Sequence, residues 1–170
     1  MKASTRRSIA CAVAVGAFAA LSAASASAAT IQLSGVQSGA SSGPCHDPSA
    51  ERSFTMQGSL VGCWYTDTFD SKYQPTSGTY QETGTEHFVG CLDLDSDQAC
   101  DSGDPNGTLY FTYQFTAKFN PLTLAEIHGR CHHPITGGAG DFTGASGVIT
   151  FKDDVVTGLS PYRGPLRLSS

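Results

Sequence analysis

Thr136-Gly137-Gly138-Ala139-Gly140-Asp141-Phe142-Thr143-Gly144-Ala145-Ser146-Gly147-Val148-Ile149-Thr150-Phe151 sets closely spaced glycines around one aromatic and then passes into an alternating apolar run. Glycine supplies positive φ and lets backbones approach closely, so this spacing predicts a tight turn feeding a barrel strand. A phosphate cradle is the competing reading of Gly138-Ala139-Gly140-Asp141-Phe142-Thr143. It lacks the third glycine of a dinucleotide fingerprint, and no helix-forming run follows to supply the amide-rich N-terminus such a loop needs.

Outward from that stretch the chain keeps the same character. Residues 53–56, 59–69, 78–90, 108–119, 125–131, 146–152 and 165–168 read as β-rich, and residues 72–77, 101–107 and Asn120-Pro121 carry turn chemistry between them. Only residues 122–126 suit a brief helical turn. Seven or eight short strands without a long linker predict an all-β antiparallel sandwich or closed barrel. The clearest alternation sets Leu109, Phe111, Tyr113, Phe115, Ala117 and Phe119 against Tyr110, Thr112, Gln114, Thr116 and Lys118, so one face of this strand is buried. Residues 124–132 alternate too: Leu124, Glu126, His128, Arg130 and His132 share one face, and Ala125, Ile127, Gly129 and Cys131 the other. Pattern alone leaves open which of those faces points inward.

Met1 to Ala28 joins basic Lys2, Arg6 and Arg7 to an apolar run over residues 9–21 and a small-residue end, Ala26-Ser27-Ala28, which is the form of a secretory signal peptide. The apolar run is shorter than the roughly 20 residues that cross a bilayer, so the expectation is cleavage near Ala28, a secreted protein and no membrane attachment afterwards. Removing the three leader cations from ten Lys and Arg leaves seven against fifteen Asp and Glu, a balance of minus eight that argues against nucleic acid and anionic membrane as partners. The expected organisation is a leader over 1–28, a flexible N-terminal segment over 29–52 and one β-barrel domain over 53–170.

Beyond Cys11 in the leader, five of the six cysteines remain, an odd number. Cys91 and Cys100 bracket an acidic turn between strand-like runs, so a hairpin-closing bridge is their natural pairing in an oxidising compartment. Cys63 and Cys131 both sit in strand patterns and are expected to bridge neighbouring strands, with Cys45 left over in a loop. Zinc-ribbon spacing is missing, and no structural zinc is expected.

Three constellations carry candidate chemistry. Glu126, His128, Arg130 and His132 form the densest ionisable stripe; facing a lumen, Glu126 would act as acid or base with a raised pKa, His128 would relay a proton and Arg130 would hold an oxyanion. Facing solvent, the same stripe is an ordinary outer wall. Glu86 shares a strand face with Gly84 and Phe88 and is the other candidate catalytic carboxylate, while Trp64, Tyr65 and Tyr113 are candidate ligand-binding aromatics that equally suit a plain core. His132 and His133 point to opposite faces of a strand and do not make a metal pair. Asp93, Asp95, Asp97, Asp101 and Asp104 fall at the first, third, fifth, ninth and twelfth places of a calcium loop, with Ala99 offering a carbonyl at the seventh. Gln98 stands where that loop wants glycine, and Asp104 replaces the bidentate glutamate.

The glycine run ending at Phe151, the preceding strand Ala125-Glu126-Ile127-His128-Gly129-Arg130-Cys131, the aromatic alternation from Phe111 to Phe119 and the closing Tyr162-Arg163-Gly164 together resemble the allene oxide cyclase and dirigent-like superfamily, which has secreted bacterial members. The resemblance implies an eight-stranded, calycin-like antiparallel barrel with a ligand-sized lumen, assembled as a homo-trimer. No catalytic residue carries over from it. The leading expectation is a secreted barrel that binds a small apolar molecule without a cofactor, calcium being the one ion the residues suggest. The alternatives are a cofactor-free cyclase or isomerase acting in the lumen, and an extracellular structural or interaction protein, expected where Phe111, Tyr113, Phe115 and Phe119 fill the interior.

Overall fold

A computed structural model describes residues 29–169, so the proposed leader lies outside the described residues. Eight strands, β1 (Thr30–Gly39), β2 (Arg52–Gly58), β3 (Leu60–Gln74), β4 (Thr79–Leu92), β5 (Asn106–Phe119), β6 (Glu126–Gly140), β7 (Ser146–Lys152) and β8 (Ser160–Arg167), join in chain order into a closed antiparallel barrel. Closure pairs β1 with β8 through the register Leu33↔Gly164 and Gly35↔Tyr162, which removes both edges of the sheet. The expected all-β, eight-stranded antiparallel barrel is therefore the fold.

Two boundaries differ from the sequence reading. Residues 29–52 are not uniformly a flexible segment: Thr30–Gly39 is a barrel strand between β2 and β8, and only the part from Ala40 onward is loop. Its glycines and serines are tolerated because two flanking strands supply the backbone partners that its own side chains do not advertise. The glycine run, for its part, is strand up to Gly140, paired with β5 through Tyr110↔Gly137 and Leu109↔Gly138. The turn itself is short, framed by Gly140 and Gly144 at φ 66° and 74°, a left-handed backbone that favours glycine.

Alternation sorts the side chains. Leu109, Phe111, Tyr113 and Ala117 of β5 are buried inside, and Tyr110, Thr112, Gln114 and Thr116 face out. The floor of the barrel, at the β2–β3, β4–β5 and β6–β7 connections, is filled by Trp64, Phe88, Phe111, Phe142 and Leu109. Trp64 stacks on Phe111 at 4.3 Å between ring centroids, and Phe142, carried by the glycine-framed turn, plugs the floor beside Phe88. The mouth, at the other end, carries the loops after β1, β3, β5 and β7.

Cys91 and Cys100 are bridged as expected. Cys63 is bridged to Cys45, not to Cys131, which is free. Cys63 pairs across the ladder with exposed Val89 and so faces out, whereas Cys131 sits opposite Phe115 and Phe151 and faces in, with β4 and β5 between their strands. Cys45 reaches Cys63 because the loop after β1 folds over the outer wall of β3, where Cys45 is buried.

Candidate functional site

Above the aromatic floor the same inward positions turn polar. Strand β4 points Tyr80, Glu82, Glu86 and Phe88 inward in order from mouth to floor, and β2, β3, β5 and β6 set Arg52, Thr66, Tyr113 and His133 around them. Glu86 is 6 % exposed; its Oε2 accepts from Trp64 Nε1 at 2.7 Å and its Oε1 from Thr66 Oγ1 at 2.8 Å. His133 Nε2 lies 2.7 Å from the same Glu86 Oε2. Three partners thus share one buried carboxylate, which is how a charge is kept in a low-dielectric interior. His133 is held between Tyr113, stacked at 5.6 Å, and the edge of Phe151 at 4.7 Å, and its Nδ1 is buried without a partner.

One turn of the strand nearer the mouth, Glu82 takes a two-pronged contact from Arg52, Nη1 to Oε1 at 2.5 Å and Nη2 to Oε2 at 2.8 Å. Tyr113 donates to Oε1 at 2.6 Å and Tyr80 to Oε2. Burial by itself raises the Glu82 carboxyl, but the hydrogen bonds from Arg52, Tyr113 and Tyr80 outweigh it and hold the group below the ordinary glutamate value. Burial, followed by the bond to Glu82, drives the Tyr113 phenol up, so it remains a donor.

Between the two carboxylates lies a cavity of about 190 Å³, lined by Arg52, Glu82, Glu86, Tyr113, His133 and Phe151 among others, with Gln37, Asp153 and Ser160 toward the mouth. Cys131 also borders it, with Sγ 3.4 Å from His133 Nε2. This is not an activated nucleophile: thiol and carboxylate converge on one nitrogen instead of flanking the ring, and burial pushes the thiol well above its usual value.

The mouth carries a second carboxyl pair. A Cβ at Gly129 would collide with Asp153 Oδ2 and Glu126 Oε1, so glycine there is the space in which these two groups meet. Burial, then the hydrogen bond and charge of Asp153, push the Glu126 carboxyl up to about 7. Asp153 Oδ1 accepts from Ser160 Oγ at 2.8 Å.

Of the candidate catalytic residues, Glu86 lies in the interior and Glu126 at its rim. His128 and Arg130 face outward, opposite Lys118 and Lys152, so the lumen relay proposed for the stripe is not formed. A register shift between Lys118 and Phe119 turns Glu126 inward while its stripe-mates remain outside. Of the candidate ligand-binding aromatics, Tyr113 lines the cavity, Trp64 is core, and Tyr65 stands on the outer wall against His87 at 5.0 Å. In the acidic loop, Asp93, Asp95 and Asp97 bring carboxylate oxygens within 4.8 Å of one another, without Asp101 and Asp104. Asp93 already accepts from the amides of Ser96 and Gln98 at 2.6 and 2.9 Å, and Asp104 from that of Leu94 at 3.1 Å, so these carboxylates close the loop.

Sequence reasoning passed over Glu82, Arg52 and Cys131 as cavity residues and treated His133 only as a metal candidate. Glu82 was within reach, because Tyr80, Glu82, Gly84, Glu86 and Phe88 form one strand face. Arg52, thirty residues away in sequence from its partner, carries no such signal. Phe111 and Tyr113 are buried in the interior, and a cavity remains beside Tyr113 and Phe115. No protein-family model, curated protein or solved structure matches the chain.

Proposed function

We propose that this protein is a small-ligand-binding barrel whose interior takes a single-ring molecule bearing a hydroxyl group. The observation that carries the reading is His133, a buried imidazole on the cavity wall whose Nδ1 has no partner within the protein, beside two carboxylates already held by others. A buried polar atom without a partner is costly, and a ligand hydroxyl can either donate to it or accept from it. Size points the same way: a cavity of about 150 Å³ holds a benzene-sized ring, and this one is about 190 Å³. The leader and the two disulfides support an oxidising, extracellular setting, and the allene oxide cyclase and dirigent resemblance is in keeping with a barrel that houses a small molecule.

Phenol and benzene are paired probes of this reading. Phenol is expected to raise the melting temperature and move the His133 ring signals in NMR, benzene to do much less, and His133→Phe to abolish the difference. Stabilisation by neither probe, or an undiminished phenol preference in His133→Phe, overturns it.

A second reading, cofactor-free isomerisation or cyclisation, is favoured by Asp153, which borders the cavity and contacts Glu126, whose carboxyl sits near neutrality. Such a group passes readily between protonation states at working pH. That reading fails if Glu126→Gln and Glu86→Gln both leave turnover of an identified substrate unchanged.

A further inference from the structure

Ten large hydrophobic residues are exposed among the described residues, and six of them, Leu122, Leu124, Ile127, Val155, Val156 and Leu159, lie on two neighbouring segments at the mouth. The loops before β6 and after β7 share a cleft of about 430 Å³ whose walls include Ala125, Glu126, Val155 and Leu159. Each loop presents its tip in the same way. Asn120 Oδ1 accepts from the amide of Leu122 at 2.9 Å, and Asp154 Oδ1 from that of Val156 at 3.0 Å. The two residues so displayed are 92 % and 91 % exposed. Apolar tips set rigidly into solvent have no role in the barrel's own core, and a contiguous patch of them marks a contact surface.

The outer wall directly behind these tips is basic. Lys118 stands opposite His128, Arg130 opposite Lys152, and His132 and Arg163 flank Thr150 in the next row, all facing out. Lys118, Arg130, Lys152 and Arg163 are four of the seven Lys and Arg outside the leader, and among the described residues none of them is in an ion pair. Arg130, Lys152 and Arg163 border an outer groove of about 810 Å³ with Gln114 and Thr116, and Lys118 lies beyond it with Nζ donating to the Ser77 carbonyl. Of the neighbouring carboxylates, Glu126 and Asp153 meet over Gly129, and Asp154, which feels the charge of Lys152, accepts the amides of its own turn.

We propose that this side of the mouth docks on an anionic lipid surface, with Leu122, Leu124, Val155 and Val156 entering the boundary between headgroups and acyl chains and the cationic wall facing the lipid phosphates. Apolar tips backed by cations are the combination that interfacial binding uses. The wall residues Gln114, Thr116 and Lys118 are polar, which is unlike the apolar outward band of a spanning barrel, so the contact is peripheral. The balance of minus eight outside the leader, seven Lys and Arg against fifteen Asp and Glu, led to the opposite expectation. Distribution decides here: the acidic loop after β4 projects from the floor, roughly 30 Å from the mouth for tilted strands of this length. Charges screen over about 8 Å, so a surface at the mouth meets the cations first.

The test is sedimentation with phosphatidylcholine vesicles, with and without phosphatidylglycerol. The barrel strands and the side chains packed on its core lie within residues 30–168, so a chain starting at Ala29 serves. We expect partitioning at least tenfold stronger onto the phosphatidylglycerol vesicles, and at least a tenfold loss in both Arg130→Glu/Lys152→Glu and Leu122→Asp/Val156→Asp. These side chains are exposed, and an unchanged melting temperature verifies the fold; Val156→Asp alone replaces the pair if it does not express. Equal or undetectable binding to the two vesicles overturns the proposal. A loss in the charge variant with wild-type binding in the loop variant also overturns it, in favour of soluble polyanions, for which dextran sulfate is the comparison.

Discussion

Along β4 the inward positions near the floor are Phe88 and Leu92, whereas those nearer the mouth are Tyr80, Glu82 and Glu86. The strand, the barrel and the alternation are the same, yet the lower half of the interior is apolar and aromatic and the upper half is a network of paired charges around a cavity. The lower half needs no explanation beyond burial, since each aromatic removed from water contributes on the order of 2 kcal/mol. The upper half does not follow from stability. Buried ion pairs are often neutral or unfavourable relative to apolar residues of the same size, and the ligand site proposed above would account for that cost.

The division can be attacked at its strongest point first. Trp64→Ala removes the ring that stacks on Phe111 and also the donor to Glu86, and about 4 kcal/mol of unfolding free energy should be lost in a denaturant titration. A loss below about 2 kcal/mol would mean that the floor does not hold the barrel together.

A smaller effect is expected from the upper half. Arg52→Met strips Glu82 of two bonds and leaves Tyr113 and Tyr80, and because the Arg52 side chain is 41 % exposed the cost should be about 2 kcal/mol. Adding Glu82→Leu to that variant should recover most of the loss, since no unpaired charge then remains. If the double variant is instead the less stable of the two, the network is structural and the contrast between the halves weakens.

The smallest effect belongs to the rim. In the folded chain the Glu126 carboxyl is raised from 4.5 to about 7, so the folded state holds its proton over a range where the unfolded state has released it. Its stabilising share is full below pH 4.5 and is lost as pH rises through 7. Glu126→Gln keeps a neutral donor facing Asp153 and should flatten that decline, gaining about 1 kcal/mol over the wild type at the alkaline end after allowing for partial exposure. Parallel pH profiles for the two proteins would remove Glu126 from the titration.

Fold and site were legible to different degrees. Alternation in Leu109 to Phe119 identified the inward face of β5, because period-two burial is written locally. Glu86 was legible for the same reason, sharing a face with Phe88. Which way the stripe from Glu126 to His132 faces was not legible: the register shift beside Phe119 breaks its period between Glu126 and His128, and a bulge leaves no mark in composition. Cys63 and Cys131 were paired by similarity of setting, but opposite faces forbid the bond whatever the sequence spacing.

The sequence by itself determined the all-β class, the burial of one face of each clear strand and the Cys91–Cys100 bridge, since each depends on residues close along the chain. Only the tertiary structure decided that Arg52 meets Glu82, that His133 shares Glu86 with Trp64 and Thr66, and that the cations of β5 to β8 gather behind the apolar tips. Those juxtapositions arise from closing the sheet, which brings distant strands into register and sets charge by position, where composition records only its total.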